Sequence, residues 1–183
     1  MRRFIWASVY IAGGIAAGCF SAFAVIQSAG VEEVEPGLPW LSRAEALADK
    51  EDFYARAHYL LSGRLPPAAG QITEAVAETD SKGNPLTGSC VYRIASTGPL
   101  PRWWSIGIIG GGGDGSPLQS TVDSASVIGR PDGGVEISDY PSPRPGNWLQ
   151  SPTLRRFSVI SSALPRGPDA AAPPFTITAE DCL

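Results

Sequence analysis

The chain has 183 residues, a formal net charge of −4 and one histidine. An acidic chain without a basic stripe excludes a nucleic-acid interface, and a lone histidine with no Cys/His cluster excludes a three-histidine metal centre. Glycine (21) and proline (17) make up about a fifth of the chain, against a usual ~12%, which favours short strands and turns over long helices.

Arg2 and Arg3 precede Phe4 to Ile26, a run of 23 residues without a charge, and the next charge is Glu32. At about 1.5 Å per residue such a helix crosses the ~30 Å hydrocarbon core of a bilayer. Arginines before it and Glu32, Glu33 and Glu35 after it set the N-terminus in the cytoplasm. The expectation is a single-pass protein of the bacterial inner membrane, held in the bilayer through residues 4–26, with its C-terminal part periplasmic. Two other fates compete with a retained anchor. Ala22-Phe23-Ala24 has the spacing of a signal-peptide cleavage site, and Ala17-Gly18-Cys19 loosely resembles a lipoprotein processing site. The apolar run is longer than a signal-peptide core of ~7–15 residues, which favours retention. Gly14 and Gly18 form a G-x-x-x-G pair that would let two helices meet as a homodimer, although one such pair is a weak signal. Removing Arg2 and Arg3 from the net count of −4 leaves −6 for the exported part, which anionic headgroups would repel.

Residues 1–29 therefore read as an anchor, 30–41 as a Pro/Gly linker and 42–183 as one exported domain of ordinary size. Ser42-Arg43-Ala44-Glu45 fits a capping box, and Phe53, Ala57, Leu60 and Leu61 recur at helical spacing before Gly63. This predicts one short helix ahead of the sheet. Strands are predicted at 72–79, 90–95, 103–109, 120–128 (the weakest), 135–138, 157–160 and 175–178. Asp80 to Pro85 reads as a tight turn and Pro131-Asp132-Gly133-Gly134 as a hairpin turn. The fold class is mainly β, an antiparallel β-sandwich.

Outside the anchor the cysteines are Cys90 and Cys182. An even count in an oxidising compartment predicts a disulfide, with two buried free thiols as the alternative.

Little catalytic chemistry is visible. His58 would have to be the base of any serine triad, and there is no G-x-S-x-G elbow. Gly110 to Gly115 lacks the Gly-Lys-Ser/Thr of a phosphate loop and reads as a hairpin tip. No metal and no cofactor are expected. Asp114, Asp123, Asp132 and Asp139 are candidate acid/base carboxylates, but charged groups are rarely buried without partners, so all four read as solvated loop residues. Trp103 and Trp104 are adjacent on a strand and must point to opposite faces. One enters the core and the other is free to line a groove or interface, as a flat apolar face carrying an N–H suits.

The blocks Asp52-Phe53-Tyr54-Ala55-Arg56-Ala57, Asp80-Ser81-Lys82-Gly83-Asn84-Pro85-Leu86, Cys90-Val91-Tyr92-Arg93-Ile94, Pro101-Arg102-Trp103-Trp104-Ser105 and Arg144-Pro145-Gly146-Asn147-Trp148-Leu149 follow one another in this order. Together they resemble domain-of-unknown-function family 1214, in its short form with an N-terminal membrane segment. The resemblance implies a jelly-roll type of sandwich and a companion, the family-1254 domain. It brings no settled activity. The matching residues invite structural readings: Asn147 can hold a turn through its amide, and Trp148 can plug the end of the sandwich.

Two functions stay open. The first is a membrane-anchored envelope module working through protein contacts with a family-1254 partner, without catalysis. The second is a binding or hydrolytic module for cell-wall sugar or another small molecule. Its candidate ligand-binding residues are Trp103, Trp104, Arg102, Asn147 and Trp148, joined by Arg93 and Asp114.

Overall fold

The computed structural model describes residues 2–28, 31–34, 37–42, 53–61, 71–111, 117–153, 156–164 and 175–182. Helix α1 (Arg2–Ser28) opens the chain. Strands β1 (Glu32–Glu33) and β2 (Trp40–Ser42), helix α2 (Phe53–Leu61) and strands β3 (Thr73–Ala77), β4 (Cys90–Ser96) and β5 (Trp104–Gly111) follow. Then come β6 (Pro117–Asp123), β7 (Glu136–Tyr140), β8 (Trp148–Gln150), β9 (Phe157–Ala163) and β10 (Phe175–Cys182). They form a six-stranded sheet in the order β1-β2-β3-β9-β5-β6 and a four-stranded sheet in the order β10-β4-β7-β8. The mainly β architecture expected from the sequence is present, with one apolar and one short helix.

Alternation builds the core. β9 alternates without a break, burying Phe157, Val159, Ser161 and Ala163, while Ile94 on β4, Ile106 and Ile108 on β5, Ile137 on β7 and Ile177 on β10 are closed from solvent. Trp104 meets Phe175 with ring centroids 5.3 Å apart. Trp40 lies 1% exposed, and its indole Nε1 donates to the Phe175 carbonyl at 2.6 Å, joining the two sheets. Cys90 and Cys182 are bonded as the last register pair of β4 and β10, across a sequence separation of 92.

Several sequence expectations are corrected here. The stretch read as a linker contributes β1 and most of β2; β1 pairs with β2, and β2 with β3. Ser42 is not a helix cap: it pairs with Ala75 in β2, and its hydroxyl donates to the Glu74 carbonyl at 2.8 Å. The rest of that capping box, the Gly63 stop and the tip at 112–116 lie outside the described residues. The sandwich is not wholly antiparallel, because β8 runs parallel to β7. The 131–134 turn is tight, with Gly133 at φ 79° and the Arg130 N–H bonded to the Gly134 carbonyl at 2.8 Å. It is not a hairpin, because β6 before it and β7 after it belong to different sheets. Gly110 and Gly111 are strand residues of β5, paired with Leu118 and Pro117. A Cβ on Gly110 would sit 3.0 Å from the Phe157 Cβ and 3.2 Å from the Pro152 Cγ, so close packing requires glycine there.

Candidate functional site

Strand register fixes what the outer face of the six-stranded sheet presents. Trp104, Ala163 and Thr73 share one inward row. One residue beyond it, flanking the ends of β5, β9 and β3, stand Trp103, Leu164 and Ile72, exposed to 36%, 43% and 37%. The Leu164 N–H donates to the Trp103 carbonyl at 3.0 Å, so the ladder continues to this edge. These three side chains make an apolar row at one end of the face. The next outward row is polar, with Glu74, Ser162 and Ser105 in register. The one after it is apolar again, running Leu41, Val76, Ile160 and Gly107.

Over this second apolar row lies a cavity of about 570 Å³. Leu41, Val76 and Ile109 form its apolar floor, with Glu74, Glu78 and Ser158 beside them. His58 and buried Tyr59 of α2 close one side. Gln27 and Ser28, the last residues of α1, and Val31 close another. A second cavity of similar size shares Glu78, Ile109 and Ser158 with it and extends to Arg156, Pro85 and Phe157. The volume is in the range of small-molecule sites, ~300–1,000 Å³. Sequence periodicity identified α2, but it could not show what the helix covers.

The ligand-binding residues proposed from sequence are dispersed. Trp104 is a core residue at 2% exposure, while Trp103 and Arg102 are on the surface at the apolar row. Asn147 stands in the other sheet's neighbourhood, and its side chain is spent on structure. Its Nδ2 donates to the carbonyls of Ile128 (2.8 Å) and Glu136 (2.9 Å), and its Oδ1 accepts from the Ile128 N–H at 2.7 Å. Trp148 is half-buried, and its Nε1 donates to the Tyr140 carbonyl at 3.0 Å. Arg93 pairs with Glu180 at 3.0 Å and Glu136 at 3.9 Å on the outer face of the smaller sheet. Asp114 lies outside the described residues.

Among the candidate carboxylates, Asp132 is a loop group as expected, bonded to Arg130 at 2.7 Å, whereas Asp123 is the last residue of β6, its carboxylate accepting from the Ser126 hydroxyl at 2.9 Å. Asp139 is not a loop residue either. It is fully buried between the sheets, opposite Tyr92 on β4 and Leu149 on β8. Burial raises its pKa from 3.8 to about 7, and the neighbouring Ser151 hydroxyl only partly opposes that rise. Neither carboxylate oxygen reaches a partner at full hydrogen-bond geometry among the described residues. A carboxyl so placed is carried as the neutral acid over much of the range below neutrality. The signal was in the sequence: Asp139 is in phase with Ile137, two residues earlier on the same strand. Asp80 shows the contrary case. Desolvation pushes its pKa up, but the Asn84 side chain and the N–H groups of Asn84 and Lys82 outweigh that and hold it below 3.8. Among the described residues no group of three His, Cys, Asp or Glu is placed to hold a metal ion.

The model of the family described as "Protein of unknown function (DUF1214)" matches residues 71–164, from the turn before β3 to the end of the apolar row. The chain belongs to that family. The DUF1214 match takes in β3 to β9, hence Val76 and Ile109 of the cavity floor, but neither Leu41 of β2 nor the helices that wall it. Two solved structures share the fold. An uncharacterized protein from Burkholderia cenocepacia aligns with a TM-score of 0.53 and 20% identity, over 88% of this chain and 40% of its own. The VPA0106 protein from Vibrio parahaemolyticus aligns with a TM-score of 0.58 and 16% identity, over 92% of this chain and 44% of its own. This DUF1214 chain thus spans less than half the length of either. No curated protein matches it.

Proposed function

We propose that this DUF1214 chain is a membrane-tethered envelope module, with its N-terminus in the cytoplasm and its sandwich in the periplasm, that works through contacts with a family-1254 partner protein. The observation that carries this reading is α1. Its span Ile5–Ser28 holds an 18-residue stretch with a mean hydropathy of 2.0, none of which is buried against the rest of the molecule. A helix apolar all round and covered by nothing in its own fold belongs in lipid. The disulfide fits an oxidising compartment. Protein contact is favoured by the exposed row Ile72, Leu164 and Trp103, the kind of surface that marks association. It is also favoured by the occurrence of the same fold as two-fifths of longer chains, where further polypeptide accompanies it.

The test is a fusion of alkaline phosphatase, which is active only outside the cytoplasm, to the C-terminus, combined with a pull-down from solubilised membranes. Active fusion and recovery of a family-1254 protein that is lost on Trp103→Ser with Leu164→Ser support the reading. An inactive fusion sinks the topology, and unchanged recovery sinks the interface. The second reading, small-molecule binding, is favoured by the cavity alone.

A further inference from the structure

We infer that the groove on the outer face of the six-stranded sheet holds one zwitterionic phospholipid drawn from the bilayer, one of its two acyl chains over Val76 and Ile109 and its headgroup between Glu78 and Arg156. The inference rests on the membrane-tethered reading and adds a ligand to it. The covalent chain places the groove: Gln27 and Ser28 are the final residues of the apolar helix, and both line the first cavity. A space bounded by the end of a bilayer-spanning helix opens at the lipid headgroup level. Its floor is apolar, of the kind a hydrocarbon chain covers and water does not favour. The two cavities adjoin, sharing Glu78, Ile109 and Ser158 as wall residues. The far one carries an acid and a base, Glu78 and Arg156, on its wall. That pair complements an ammonium and a phosphate in one headgroup, and Arg is the side chain best suited to phosphate oxygens. An anionic lipid would leave Glu78 facing net negative charge.

The experiment reconstitutes the full chain in vesicles of phosphatidylethanolamine and phosphatidylglycerol. A photoactivatable diazirine is carried on the acyl chain of one lipid or the other, and adducts are mapped by mass spectrometry. With labelled phosphatidylethanolamine, adducts are expected on α1 and also on the β3 and β5 peptides containing Val76 and Ile109. Leu41→Trp at the half-exposed edge of the floor, and independently Val76→Trp beneath it, should remove the sheet adducts and keep those on α1. Thermal unfolding and the intact Cys90–Cys182 bond report that each variant is folded. Adducts confined to α1 in the wild type, or sheet adducts that persist in the folded Leu41→Trp variant, overturn the lipid site while leaving the tether in place. Sheet adducts of equal yield from labelled phosphatidylglycerol overturn the headgroup assignment. Chain recovered free of the vesicles, or cleaved from α1 in cells, would instead remove the tether itself, so the two failures are told apart.

Discussion

The two outer faces of the sandwich are finished differently. The four-stranded sheet turns charges to water: Arg93 reaches Glu180 and Glu136, and Arg130 reaches Glu136 at 3.3 Å and Asp132 at 2.7 Å. The six-stranded sheet turns Leu41, Val76, Ile109 and Ile160 outward, under α2 and the end of α1, and leaves Ile72, Leu164 and Trp103 uncovered at its end. Both faces enclose the same kind of aliphatic interior, so the core does not dictate the difference. One face is finished with ion pairs in water. The other has helices beside part of its apolar surface and leaves the rest exposed, and function is to be sought there.

Three perturbations test this contrast. The largest effect lies between the two faces, at Asp139. The carboxyl keeps its proton in the folded state up to about pH 7, whereas in the unfolded chain it loses it near 3.8. The folded state therefore binds more protons across that window, and its stability falls as pH rises from about 4 to about 7. At ~1.36 kcal/mol per pKa unit the loss is on the order of 4 kcal/mol. Urea unfolding of wild type and Asp139→Asn at pH 4, 6 and 8 should give curves that diverge with pH, the variant being the more stable at pH 8. Parallel curves would mean that the carboxyl ionises without cost.

A smaller effect is expected on the helix-covered face. Tyr59→Ala removes the buried ring of α2, which should lower stability by about 3 kcal/mol and open the groove further. The smallest is on the charged face. Arg93 and its partners are each about two-fifths exposed, and Arg93→Ala should cost less than about 1 kcal/mol, a loss that shrinks further in high salt. If Arg93→Ala proved as costly as Tyr59→Ala in the same unfolding series, the two faces would not differ in the way described.

What sequence could and could not show follows the same division. β4, β7, β9 and β10 were readable because each alternates over several residues with one face buried. β1, β2 and β8 have two or three residues each and hold no period, so nothing local marks them. Trp40 looked like a linker residue because its neighbours are Pro39, Gly37 and Pro36, yet its indole reaches a carbonyl 135 residues away. Asp139 departs from the general rule that charges stay exposed, because the local phase set by Ile137 turns it inward. The outward rows of the six-stranded sheet join residues from β2, β3, β5 and β9. Their apolar character is a property of register, which pairing decides and no single segment displays.

The indole bond of Trp40 bears on how far the sandwich can travel. From Ser28, where α1 ends, to Trp40, where the chain is fastened into the interior, there are only 12 residues. Fully extended they would span roughly 40 Å, and the β1–β2 pairing shortens that leash considerably. On the membrane-tethered reading proposed above, a head on so short a leash cannot search widely for its target; whatever it meets must come to the membrane surface.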